Sequence, residues 1–130
     1  MGAFDVLRIA NTSLGMHQTW LDSIADNIAN VNTIRRTSQN AFQAKMVVAG
    51  ARSDGGVQVD GVAQSDPAGR MEYAPDHPLA DAAGYVRAPD IDLASQMTQM
   101  VMAQRGFQAS VQVTKQAQDT YSSALQIGRP

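Results

Sequence analysis

Leu7, Leu14, Leu21 and Ile28 recur at seven-residue intervals, and Ala3, Ala10, His17, Ile24 and Val31 fall between them in alternating steps of three and four. That alternation lines one face of an α-helix with apolar side chains. It predicts a helix from about Ala3 to Val31 with a single polar intrusion, His17. A second stripe follows the same rule through Leu93, Met97, Met100, Gln104, Phe107, Val111, Thr114, Gln118, Tyr121 and Leu125. It predicts a helix from about Ile91 to Gln126. Each seam needs a partner helix, and the two are expected to supply one another in a coiled-coil-like pair.

The ends of both helices carry punctuation. Residues 26–33 read DNIANVNT, and asparagine is a poor residue inside a helix because its amide competes for backbone groups. It also tolerates the left-handed conformation that stops one, so Asn30 or Asn32 is expected to end the first helix. Before the second helix, Pro89 restricts its predecessor, and Asp90 or Asp92 can cap the exposed amides and complement the positive helix end. Gly128 and Pro130 follow the last seam residue as stop signals.

From Thr33 to Pro89 the helical period vanishes, and glycine, proline and aspartate concentrate. Lys45–Val48 and Gly56–Val62, separated by turn residues at Ser53–Gly56, have the alternation of a short antiparallel hairpin. Arg70–Tyr73 is a candidate third strand, and Pro75 and Pro78 predict an extended loop after it. The expected class is therefore α+β: residues 1–32 an N-terminal helix, 33–89 a small antiparallel β insert with an extended loop, and 90–130 a C-terminal helix.

Composition adds one constraint. The 130-residue chain is 44% hydrophobic but only 17% charged, with a formal net charge of -2. No long-range positive field is available to gather nucleic acid. Arg105 is the sole charged residue between Leu93 and Thr114, and none lies between Ile9 and Leu21. A helix that faces water on one side normally carries charge there. Faces built from Gln, Ser, Thr, Ala and Met cost little to desolvate, so more than one face is expected to be buried against protein in an oligomer. No apolar run is long enough to span a membrane, and no basic, apolar and cleavage-site sequence of a secretory signal peptide opens the chain.

Candidate chemistry is sparse. Cysteine is absent, which removes disulfides and thiolate metal sites. His17 lies on a helical seam, where packing is its expected role. His77, within Asp76–Asp81, lacks the companions of a metal site, and a loop-fixing hydrogen bond is the expected role. Neither a nucleophile elbow nor a phosphate loop is present. Asp90 and Asp92 suit capping better than acid–base work. The reading is of a non-enzyme with no catalytic residue, cofactor or metal.

Several segments together resemble one family. They are NIANVNT from Asn27 to Thr33, FQAKMVV from Phe42 to Val48, YAPDHPLADAAGYV from Tyr73 to Val86 with Pro89–Asp92 behind it, and AQRGFQASV from Ala103 to Val111. These resemble the flagellar axial proteins, most closely the proximal-rod proteins of the bacterial basal body. Asn27, Asn30, Asn32 and Thr33 match the rod signature, while Pro78, Asp81, Gly84, Tyr85 and Pro89 carry the most specific loop. The chain departs from the pattern at Ile34–Arg36, at Gln96 where glutamate is usual, and at Gly106–Phe107. A mid-helix glycine costs about 1 kcal/mol against alanine unless a close neighbour needs the space. Close packing in a rod would supply such a neighbour.

The resemblance implies a structural rod subunit that transmits torque from motor to hook and is needed for motility. Its terminal helices would pair as the rod's inner domain. Leu7, Leu14, Leu21, Ile28, Met97, Phe107, Val111 and Leu125 would form the assembly seam. Implied partners are copies of itself, neighbouring proximal and distal rod subunits, and the adaptor at the MS ring and export gate. The flagellar type III export apparatus would carry it from the cytoplasm without a cleaved signal peptide, to a rod that crosses the periplasm. Two alternatives stay open: another type III secreted rod, hook or needle-class helical subunit, or a small ligand-binding module centred on His77.

Overall fold

A computed structural model describes residues 2–128 of the chain. Pro130, read from sequence as a stop signal, lies outside them. The order of elements is α1 (Ala3–Ala29), β1 (Lys45–Ala51), β2 (Val57–Gln64), β3 (Arg70–Tyr73), β4 (Tyr85–Ala88) and α2 (Leu93–Ile127). The class is α+β, with two long helices flanking two separate two-stranded antiparallel sheets.

α1 starts on Gly2, whose N–H donates to the Asp5 carboxylate at 3.1 Å and whose carbonyl accepts from the Asp5 N–H at 3.0 Å. The acidic side chain also complements the positive end of the helix dipole. α1 ends at Ala29 without a left-handed residue: the C-cap Asn30 has φ −106° and ψ 6°. The expected left-handed asparagine stop is thus corrected. Asn30 works instead through its amide, which donates to the Asp26 carbonyl at 2.9 Å and accepts from the Thr33 hydroxyl at 3.1 Å. Satisfying a last-turn carbonyl by side chain removes the need for the strained conformation.

α2 begins on Asp92 rather than Asp90. The Asp92 carboxylate accepts from the Ser95 N–H at 3.2 Å, and the preceding Pro89 and Ile91 are buried. It ends at Gly128, whose φ of −83° is again not left-handed.

β1 and β2 form the expected hairpin, with Lys45 opposite Gln64 and Ala51 opposite Val57. A bulge lies between Val48 and Ala49 where the register skips Asp60. β3 pairs with β4, Arg70 opposite Ala88 and Tyr73 opposite Tyr85. Sequence reading missed β4 because Pro75 and Pro78 pointed to a continuing loop. That loop closes through Gly84, which turns the chain at φ +82°, a conformation open to glycine and costly for other residues. Arg35 pairs with Arg87 through both backbone bonds, 2.8 and 2.9 Å, so the segment leaving α1 is tied to β4. A small core of Ala41, Ala44, Val86, Ala88 and Ile91 sits beneath this crossing.

Candidate functional site

The helices run antiparallel in one register. Phe4 packs edge-on against Tyr121 with ring centroids 5.1 Å apart, the Ser13 and Ser110 hydroxyls meet at 2.8 Å, and the Asn27 amide donates to Gln96 Oε1 at 2.9 Å. Between these points His17 lies against Gly106. The contact is therefore built mainly from small and polar residues, Ala10, Ser13, His17 and Asn27 on α1 and Gln96, Ala103, Gly106 and Ser110 on α2, with Ile24 the one large apolar side chain named among them. Small side chains let two helix backbones approach closely, and the hydroxyl and amide pairs satisfy what that approach desolvates.

The predicted stripes meet only in part: Ala10, His17 and Ile24 of α1 and Tyr121 of α2 lie in the contact, while the positions of Leu7, Leu14, Leu21 and Ile28 and of Met97 and Val111 fall beside it. On α1 three consecutive residues go three ways: Thr12 accepts from the Val57 N–H at the hairpin, Ser13 meets α2, and Leu14 turns to the remaining side. The same order repeats two heptads on. Asp26 bonds the hairpin through Lys45, Asn27 reaches Gln96, and Ile28 follows. On α2, Gln96, Ala103 and Ser110 touch or bury against α1, and the next residues, Met97, Gln104 and Val111, turn away by about 100°.

In an antiparallel pair, one step forward from the contact turns toward the same side on both helices. Leu7, Leu14, Leu21 and Ile28 therefore share one face of the pair with Met97, Met100, Phe107, Val111 and Leu125, opposite the hairpin. Leu7, Leu14, Leu21, Ile28, Met100 and Phe107 are half-buried. Met97 and Leu125 are both 57% exposed and Val111 41%. Period alone could not separate the stripe that meets the partner helix from the one beside it, because the two are offset by a single residue.

Asn27 is the junction of the molecule. It is 1% exposed, accepts from the Lys45 N–H at 2.8 Å, and donates to the Lys45 carbonyl and to Gln96, both at 2.9 Å. Its amide thus pairs with the first residue of β1 as a neighbouring strand would, and fixes α1, β1 and α2 at one point. Gln96, where the resemblance led one to look for glutamate, supplies the acceptor. Asn30 and Thr33 close the last turn as described, and Asn32 is exposed.

The far end of the hairpin is clamped to the start of α1. Arg8 donates to the Asp54 carboxylate at 3.1 Å and to the Gly55 carbonyl at 3.3 Å, and the Val57 N–H donates to Thr12 at 3.1 Å. The hydrogen bond from Arg52 holds the Asp54 carboxyl down at about 2, with the charges of Arg52 and Arg8 acting the same way. From Arg8 to Asn27 a helix rises about 28 Å, and about nine extended residues span the same distance, so the hairpin lies along the length of α1. Arg8, Thr12, Ser13 and Ser110 were not singled out for these contacts from sequence, and Asp54 was read only as a turn residue. Arg8 and Asp54 are separated by an insert whose path the sequence does not reveal.

In the loop signature, Asp81 is the organiser. One carboxylate oxygen accepts from the Ala83 and Tyr85 N–H groups at 2.9 Å each, and the other from the Thr37 hydroxyl at 3.1 Å. Backbone hydrogen bonding, chiefly from Tyr85, lowers its pKa. Gly84 is buried, and a Cβ there would press on Tyr73 at 2.8 Å. Tyr85 packs edge-on against Tyr73 at 5.2 Å. Pro89 is buried and Pro78 exposed. His77 Nδ1 accepts from the Leu79 N–H at 3.1 Å, a bond within the loop. Among the described residues no cluster of His, Asp or Glu could hold a metal, and no helix is long and apolar enough to cross a membrane.

Residues 82–127 match the family model described as flagellar basal body rod FlgEFG protein C-terminal. The chain is similar over 99% of its length, and over the whole of each relative, to the flagellar basal-body rod proteins FlgC of Salmonella typhimurium (30% identical), Escherichia coli O157:H7 (31%) and Bacillus subtilis strain 168 (27%).

Proposed function

The chain belongs to the FlgC family of flagellar basal-body rod proteins and is a structural subunit of that rod, and on this premise we propose that the stripe opposite the hairpin is its assembly surface. The observation that carries this reading is the exposure of Met97, Val111 and Leu125 beside the half-buried Leu7, Leu14, Leu21, Ile28 and Phe107, on one face of the helix pair. Apolar surface of this extent on a helix pair that has already chosen its internal contact fits a face covered by neighbouring protein. The polar positions within it, Gln104 and Gln118, are neutral amides that neighbouring side chains or backbones can satisfy.

Heterologous contacts of this kind repeat a subunit around an axis and along it. The subunit serves in the proximal part of the rod, joined to copies of itself, to neighbouring rod subunits and to the adaptor at the MS ring and export gate. It transmits torque by rigid packing and needs no catalytic group. The flagellar type III apparatus exports it to a rod that crosses the periplasm. Asn27, Asn30, Asn32 and Thr33 set the angle at which the chain leaves the helix pair for the β region, and the Pro78–Pro89 loop returns it.

Deletion of the gene, followed by electron microscopy of basal bodies and a swimming assay, tests the role. Loss of rods and of motility is the expected result; flagella that assemble and turn normally would refute it. Leu14→Asp or Phe107→Asp is expected to abolish incorporation, and motile cells carrying either variant would count against the surface.

A further inference from the structure

His17 and Gly106 meet at the middle of the helix contact, and a Cβ on Gly106 would collide with the imidazole at its Nε2 end. Gly106 is the single glycine in the 35 residues of α2. Close packing in a rod was expected to explain it; the neighbour that needs the space lies in the same chain. The ring is held for this fit. His17 Nδ1 lies 2.8 Å from the Ser13 carbonyl, which can only accept, so Nδ1 carries the proton. Ser13 in turn meets Ser110 at 2.8 Å, and the Ser110 hydroxyl donates to the Gly106 carbonyl at 3.0 Å. The ring and its notch are thus joined by a short polar circuit.

We propose that His17 and Gly106 form a register lock that fixes how α1 and α2 slide against each other. Between the end pairs Asn27–Gln96 and Phe4–Tyr121, the rest of the contact is repetitive. Ala103, Ser110 and Ala117 recur at seven-residue intervals on α2 and offer similar small surfaces to α1. Displacing α2 by one heptad in either direction would set His17 against Gln99 or Val113, whose side chains fill the notch. A single position that only one register can accommodate is the usual way a repetitive helix contact excludes its alternatives.

The consequence for assembly rests on the reading above. A one-heptad slip moves α2 by about 10 Å. Met97, Val111 and Leu125 would then sit beside different residues of the Leu7–Ile28 stripe, and the surface offered to a neighbouring subunit would be wrong.

The test uses opposite signs. Helix propensity alone makes Gly106→Ala stabilising, raising the ratio of folded to unfolded subunit roughly fivefold. The lock predicts that in the natural chain the same change lowers that ratio by roughly tenfold through overpacking. In a His17→Ala background it should become stabilising. Register is read separately, and cleanly because the chain has no cysteine. Ser13→Cys with Ser110→Cys reports the observed register by disulfide formation; Ser13→Cys with Ala103→Cys or Ala117→Cys reports a slip. Slipped cross-links should emerge on adding His17→Ala and be absent without it. A stabilising Gly106→Ala in the natural chain, or no slipped cross-link after His17→Ala, overturns the lock. Both measurements are made on the isolated subunit, so a negative result leaves the rod assignment standing.

Discussion

α1 and α2 are both long and apolar-striped, yet they are used differently. α1 is held on two sides, by α2 and by the hairpin laid along it, and from Val6 to Ile28 its apolar side chains larger than alanine are all at least half-buried. α2 is held on one side. Leu93, Met97, Val101, Met102, Val111, Val113, Leu125 and Ile127 are all more than 40% exposed. The difference teaches that apolar content does not say where a helix's partner is. α1 spends its hydrophobic surface mainly inside the subunit, and α2 keeps much of its own for contact outside it.

The sharpest way to break the comparison is to charge the inner side of α2. Ala103 is 0% exposed in the contact, and Ala103→Glu buries a carboxylate with no cation across from it. A loss of more than about 4 kcal/mol is expected, enough to remove a cooperative thermal transition followed by circular dichroism. Next is the junction that gives α1 its second partner. Asn27→Ala leaves the Lys45 N–H and carbonyl and the Gln96 side chain without their bonds, and a cost of about 2–4 kcal/mol in urea unfolding is expected.

Smaller effects come from the hairpin clamp, which is open to water. The Asp54 carboxyl is depressed to about 2 in the folded chain, below the ordinary carboxylate value of about 3.9. Its contribution is therefore complete above pH of about 4 and is lost as the pH falls through about 2. Acidification over that window should loosen the tip, seen as faster exchange of the Gly55 and Val57 amides after allowing for the intrinsic pH dependence of exchange. Asp54→Asn should loosen the tip already at neutral pH and remove the local acid response. The smallest effect should come from the outer side of α2: Val111→Glu is expected to change the isolated subunit's stability by no more than about 0.5 kcal/mol.

Both helices, the first hairpin and β3 were legible because their periods differ and because Gly, Asp and Pro mark their ends. β4 was not, since a four-residue strand after two prolines carries too little alternation. The rod resemblance was legible in Asn27–Thr33 and in Tyr73–Pro89, but not what those residues bond. Asn27 joins residues 18 and 69 positions away, separations that no local pattern encodes. Of the stripe on α1, Ala10, His17 and Ile24 meet the partner helix as expected, and Leu7, Leu14, Leu21 and Ile28 lie beside that contact. Ala103, Ser110 and Gly106 look like weak seam residues beside Met97, Val111 and Phe107, yet close approach favours the small ones. Gly106 was visible as an anomaly, and only its opposite number, His17, gives it a reason.

The central claim is that one face of the helix pair makes the subunit and an adjacent face makes the rod. It is tested most directly by Met97→Glu with Val111→Glu, both at exposed positions, expressed in cells lacking the natural gene. The account predicts a purified subunit that melts as the unaltered one does, together with absent rods and non-swimming cells. Intact rods containing the doubly charged subunit, in cells that swim normally, would contradict it.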